Sequence, residues 1–333
     1  MLKKDFIFSV ARIRALESRL LSQAQVERMV SAKDAKEAFK ILNDLDWAEF
    51  LGEAEKPEDF EHVLEAGLIE VKNLINSAVD YNGDFDFLWM FYDMHNVKVL
   101  IKNYLKGDDS DIRNILSGLG TVSADTMHRI IFEDQKIENF EFLLEFKEQL
   151  KKDFEENYDP EKIDLMIEDA FFSKIRPLAM KMKSPMMHRF YTRYIDMQNI
   201  NSFLRRADFD KECNGFCYFV KGGDVKECVF KKSKNLEDFV SNIKCDRLRE
   251  IIVREMKEGE IESFLRLENA LDEFLFEELK SSKMEHIGPD AIFAFFWQKR
   301  RNAQIIRSIM VGKLSNIDEK QIRTWLKTPS LSL

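Results

Sequence analysis

Glycine and proline are scarce, 12 and 6 among 333 residues, about one residue in twenty where roughly one in eight is usual. Turn-rich β-sandwiches and glycine-rich nucleotide folds need more of both, so long helices with few breaks are expected. A basic excess is also missing. Asp and Glu number 60 against 51 Lys and Arg, for a formal charge of −9. A phosphate-binding surface needs the opposite balance, so no nucleic acid is expected as a partner. The longest uncharged run is the eleven residues Asn114–Ala124, too short for a membrane helix, which takes ~18 or more apolar residues. Met1 to Arg19 reads as helix but carries Lys3, Lys4, Asp5, Arg12, Arg14, Glu17 and Arg19, unlike the uncharged centre of a signal peptide. Cysteine is limited to Cys213, Cys217, Cys228 and Cys245. Four so placed suit buried, reduced thiols of a cytosolic protein better than a disulfide framework.

Motifs of catalytic or cofactor chemistry are missing as well. There is no Gly-x4-Gly-Lys-(Ser/Thr) loop to cradle phosphates. Gly118-Leu-Gly120 is a fragment of a dinucleotide fingerprint without a βαβ setting and reads as a helix–helix loop. Cys213-x3-Cys217 lacks the spacing of a structural zinc site. The histidines His62, His95, His128, His188 and His286 are scattered, with no His-Glu-x-x-His. Asp59-x-x-His62 has no Glu-x-x-His partner to complete a di-metal bundle. Catalytic, cofactor and metal sites are therefore expected to be absent.

What is present is apolar residues at helical spacing. The chain is 45% hydrophobic with 28 Phe, enough for more than one core. Val10, Ile13, Leu16 and Leu20 fall on one helical face. Lys56-Pro57-Glu58-Asp59 opens a helix running to about Ala78, because proline and early acids suit a first turn. Asp159 before Pro160 reads as the N-cap of a helix over 163–183. Cys217–Val220 and Val225–Phe230, with Gly222-Gly223 between them, predict one small β-hairpin.

A repeat organises the whole. Phe91-Tyr-Asp-Met-His-Asn-Val-Lys98 and on to Lys102 matches Tyr194-Ile-Asp-Met-Gln-Asn and on to Arg205, at an offset of 103 residues. The same offset carries Pro57 onto Pro160, Phe87 onto Phe190 and Gly120 onto Gly223. A weaker third copy fits an offset near 102, with Gln298 for the Asp, Arg301 for the Asn, and Ile306-Arg307 matching Leu204-Arg205. The expectation is an all-α fold of three related helical-bundle units of about 103 residues: 1–115, 116–213 and a degenerate 214–333.

Asp93 with Asn96, and Asp196 with Asn199, sit three apart on a helix face beside the apolar stripe. Asp and Asn are poor mid-helix residues. Their recurrence at matching places suggests hydrogen bonds that cap or cross-link helices within each unit. Tyr92, Lys98, Arg205 and Arg307 complete this repeat motif, which reads as structural.

At these residues the chain resembles the C subunits of the V/A-type rotary ATPases, counterparts of the d subunit in vacuolar ATPases. The likeness runs through Phe6-Ile-Phe-Ser-Val-Ala-Arg-Ile-Arg14, Arg19-Leu-Leu21, Leu42 to Trp47, Tyr92-Asp-Met-His-Asn-Val-Lys98 and Gln304-Ile-Ile-Arg-Ser-Ile-Met-Val-Gly-Lys313. Leu45 and Trp47 stand where Thr and Tyr are usual, and Lys299-Arg-Arg301 where glutamates are usual. The resemblance implies a non-catalytic, funnel-like rotor part with a pseudo-threefold axis. It implies a seat on the cytoplasmic face of the membrane proteolipid ring, the D and F subunits of the central shaft as partners, and a share in H+ or Na+ transport. A cytosolic helical-repeat adaptor is the alternative, disfavoured because 103 residues exceeds the ~34–47 of such repeats. A helical metal oxidase would need the absent Glu-x-x-His motifs.

Overall fold

The computed structural model describes residues 4–45, 47–52, 56–78, 83–107, 112–154, 159–207, 209, 218–280 and 288–326. Among them are fifteen α-helices and a single pair of two-residue strands. Three short helices come first: α1 (Lys4–Glu17), α2 (Gln23–Ser31) and α3 (Ala35–Ile41). The long α4 (Phe60–Ala78) and α5 (Asp86–Lys106) follow, then α6 (Ala124–Phe132) and α7 (Phe142–Phe154). A second long pair is α8 (Pro160–Lys181) and α9 (Pro185–Arg206), followed by α10 (Glu227–Lys232), α11 (Leu236–Ser241) and α12 (Asp246–Arg254). The third pair is α13 (Phe264–Glu277) and α14 (Pro289–Leu314), and α15 (Glu319–Trp325) comes last.

Local chemistry sets the helix ends. Pro57–Asp59 forms a 3-10 turn leading directly into α4. The Asp159 carboxylate accepts from the amides of Glu161 and Lys162 at 3.1 Å, ahead of Pro160 at the first position of α8. These donors would otherwise lack intrahelical partners. Ser22 and Gln25 make a reciprocal capping box at the start of α2. Gly107 ends α5 with φ of 63°, a left-handed conformation that glycine adopts without Cβ strain.

The long helices pack in a regular order. α5 lies against α8, α9 against α13, and α14 against α4. In the interior α5, α9 and α14 meet in an aromatic layer. Phe91, Tyr194 and Trp297 touch pairwise, with ring centroids 5.5, 5.0 and 5.9 Å apart. One turn earlier, Phe293 contacts Phe87 at 6.4 Å and Phe190 at 5.1 Å. Edge-on and tilted aromatic pairs at these separations add about 0.5–1.5 kcal/mol each beyond burial.

This layer corrects the expected third copy. Phe87, Phe190 and Phe293 are 103 apart, as are Phe91, Tyr194 and Trp297. The third copy therefore keeps the offset of 103 through this helix, and Gln298 and Arg301 are not the counterparts of the Asp and Asn. Those places fall on Lys299 and Asn302.

Two further expectations are overturned. The predicted hairpin is absent: 218–220 is irregular, Lys221 and Gly222 form a turn, Gly223 is irregular, and Glu227–Lys232 is helix; Cys217 lies outside the described residues. The strands are Met256–Lys257 and Glu260–Ile261 instead. Side chains of α9 explain the difference, because Asn199 and Asp196 engage the backbone of Val220, Asp224 and Val225, the groups a ladder would have used. Cys228 and Cys245 are exposed rather than buried, and Cys213 lies outside the described residues.

Candidate functional site: repeated polar anchors and inter-helix ion pairs

Asp93 and Asn96 on α5 are fully buried, and Asp196 and Asn199 on α9 nearly so. Asn96 accepts from the Ser117 amide at 2.8 Å and donates to the Ser117 carbonyl at 2.9 Å. Asn199 makes the same two bonds to Val220, both at 2.9 Å. Each asparagine thus mimics a strand partner for one residue of the loop after its own helix. Asp93 accepts from the Thr121 amide (2.9 and 3.0 Å) and the Thr121 hydroxyl (2.6 Å). Asp196 accepts from the amides of Asp224 and Val225, both at 3.0 Å. The loop must come close to allow this. A Cβ on Gly120 would stand 2.2 Å from the Asp93 carboxylate, and one on Gly223 2.1 Å from that of Asp196. Only glycine fits, which accounts for the shared offset of these two glycines.

Asn302 is the third member. With its amide turned to satisfy both neighbours, it accepts from the Leu21 amide at 2.8 Å and donates to the Gln298 carbonyl at 3.3 Å. The captured residue here belongs to the loop after α1, at the other end of the chain. Lys299, at the third Asp place, is buried with its ammonium 5.3 Å from the Trp47 ring.

A second set of groups joins neighbouring long helices. Lys102 of α5 pairs with Asp164 of α8 at 2.7 Å, and Arg205 of α9 with Glu268 of α13 at 2.5 Å. Arg307 of α14 returns to Glu61 of α4 through two bonds of 2.7 Å. Lys98 makes a more buried pair with Glu168 at 2.5 Å. Burial opposes the charge on Lys98, but Glu168 outweighs it and holds the ammonium above its ordinary pKa. In every pair the cation sits on α5, α9 or α14 and the carboxylate on α4, α8 or α13.

That ordering brings Lys98, Lys102 and Arg307, together with Arg300, near enough to His95 to act on its charge. His95 is exposed, yet partial burial depresses its pKa, and Lys98, Arg300, Arg307 and Lys102 depress it further. Arg300 lies over the Trp297, Phe91 and Tyr92 rings at 4.9, 5.2 and 5.6 Å. Tyr92 is enclosed, its hydroxyl oxygen without a hydrogen-bond partner among the described residues. Sequence reasoning missed Asn302, Phe293 and Arg300. An offset of 103 carried into the third copy finds the first two, whereas nothing in the pattern marks Arg300.

Among the described residues no group of three or more His, Cys, Asp or Glu could hold a metal ion, and no helix is long and apolar enough to cross a membrane.

A family profile described as "ATP synthase (C/AC39) subunit" matches residues 9–324. The chain belongs to this ATP synthase (C/AC39) subunit family. Among curated proteins it is similar to the C subunit of the A-type ATP synthase of Methanocaldococcus jannaschii. Identity is 23% over 341 aligned positions, covering 95% of this chain and 84% of the archaeal protein. Every anchor and ion pair described above falls inside the region that defines this C/AC39 family.

The aspartate anchors give this C/AC39 family member a pH signature. Burial pushes Asp93 and Asp196 up to about 6, against the opposing pull of the backbone amides. Their ordinary value is near 4. The folded chain therefore holds these two protons more tightly than the unfolded chain does. Their contribution to stability is full below about pH 4 and is lost as the pH rises through about 6. Urea midpoints should fall across that window, and Asp196→Asn should flatten the fall. An equal pH slope in wild type and variant would refute this assignment.

Proposed function

We propose that the chain is a non-catalytic central-stalk subunit of a V/A-type rotary ATPase. It couples the shaft, made of the D and F subunits, to the membrane proteolipid ring on the cytoplasmic side, as part of ATP-linked H+ or Na+ transport. Three related helical units in a funnel-like, pseudo-threefold arrangement form its body. The observation that carries this reading, given the family, is the succession of helix contacts, α5 with α8, α9 with α13 and α14 with α4. Each contact carries its own ion pair. A coupler needs stiffness rather than reaction chemistry, and close-packed helices around a shared aromatic layer supply it.

The cations gathered near His95 on α5 and α14 support a seat for a partner bearing carboxylates. Arg300 has ring contacts but no ion pair among the described residues. The chain should co-purify with the D–F shaft and with the proteolipid ring. Arg300→Gln should weaken shaft binding about tenfold at low salt and much less at high salt, as a charge contact does. Failure of wild type to bind either partner would overturn the rotor reading. Salt-independent, unchanged affinity of Arg300→Gln would overturn only the role of this cation cluster.

A further inference from the structure

The first two asparagine anchors hold the loop that follows their own helix. The third, Asn302 on α14, holds Leu21, which lies 281 residues earlier in the chain. Around it the two ends of the chain interlock. Arg323 of α15 bonds Glu27 and Ser31 of α2, Lys313 bonds the Ala32 carbonyl, and α14 packs on α2 and α3. Short helices follow α5 (α6, α7) and α9 (α10–α12); after α14 their place is taken by α15 together with α2 and α3 from the amino-terminal end.

We infer that residues about 18–45 are the displaced part of the third unit, and that this seam between the chain ends is a latch, the junction at which the molecule opens. The inference needs only this packing and stands apart from the rotor reading.

Three features separate the seam from the other junctions. The contacts of α5 with α8 and of α9 with α13 are bridged by intervening chain, which limits how far the helices can part. α14 and α4 are joined along the chain only by the long way round, through residues 79–288, although α1 packs on both. The seam also has its own apolar cluster, in which Val26, Met29, Phe39 and Leu64 meet Ile306, Met310 and Ile322, separate from the main core. A separate apolar cluster is the physical basis of a separate cooperative opening unit. Finally, its outer bonds are ion pairs between half-exposed side chains, Arg307 with Glu61 and Arg323 with Glu27, which salt weakens. The aromatic layer stays outside this cluster, and Trp297 and Phe296 of α14 stay fastened to Phe91 and Trp89 of α5. Opening therefore parts the periphery while the layer acts as the hinge.

Hydrogen exchange of the full chain, read by mass spectrometry, tests this. Amides of α2, α3 and α15 should exchange together, faster than those of α6, α9 and α12, and faster still in high salt. Gly312→Val should speed this set at least tenfold and leave α9–α12 unchanged, because a Cβ at Gly312 would stand 2.8 Å from Ile322. Arg323→Ala, a milder surface change, should speed the same set by a smaller factor. Independent exchange of α2 and α15 would overturn the latch. So would exchange of the set no faster than α6 and α12, or equal acceleration everywhere in both variants.

Discussion

Replacing Trp297 by alanine should lower folding stability by about 3–5 kcal/mol, the range for truncating a large buried aromatic side chain. Trp297 is the point where three long helices meet. Its ring touches Phe91 of α5, Phe190 and Tyr194 of α9, and Phe293 and Phe296 of its own helix. The surrounding rings are fastened to one another as well as to Trp297, so the site has little freedom to collapse into the gap. The Arg300 guanidinium would also lose the closest of its three aromatic faces. Trp297→Phe should cost much less, under about 2 kcal/mol, because it keeps most of the volume. The indole nitrogen, moreover, has no hydrogen-bond partner among the described residues to lose. Urea denaturation of the two variants checks the ordering. A loss below about 1 kcal/mol for Trp297→Ala would mean that the layer repacks and is not the rigid centre of the molecule.

How much of this was legible in the sequence follows from the physics of each feature. The helices were readable because apolar spacing and caps such as Asp159-Pro160 act locally. The 103-residue repeat was readable in α5 and α9 because the anchors force residue identity: Asn96 and Asn199 need both an acceptor and a donor, and Gly120 and Gly223 leave no room for a Cβ. The third copy blurred because its anchor departs from that rule. Its asparagine holds a loop distant in sequence, no glycine follows at the matching distance, and its Asp place is Lys299. Weighting Ile306-Arg307 against Leu204-Arg205 slipped the register by one, although Arg307 does pair with Glu61 as Arg205 pairs with Glu268. The mistaken hairpin had a tertiary cause: β-branched residues around Gly222-Gly223 had the pattern of strands, but α9 side chains took their backbone groups. The cation cluster near His95 was illegible because it depends on which helix carries the cation of each pair, and contacts between distant segments decide that.

Asn96→Ala and Asn199→Ala should each lower stability by about 1–3 kcal/mol, the cost of leaving buried partners unsatisfied. Each change strands an amide and a carbonyl at once, at Ser117 or at Val220. The Val220 pair is the more enclosed, so water can rescue it less well and Asn199→Ala should fall at the upper end. The two asparagines share no partner, so the double variant should lose close to the sum of the two. Asn199→Asp should be no better than alanine at neutral pH. It keeps an acceptor for the Val220 amide but sets a buried negative charge against the Val220 carbonyl, which only a donor can satisfy. Shaft binding by the folded fraction should stay near that of wild type, because both anchors are buried and engage the loops that follow their own helices. Unchanged unfolding midpoints together with lost binding to the shaft or the ring would show instead that the asparagines face a partner.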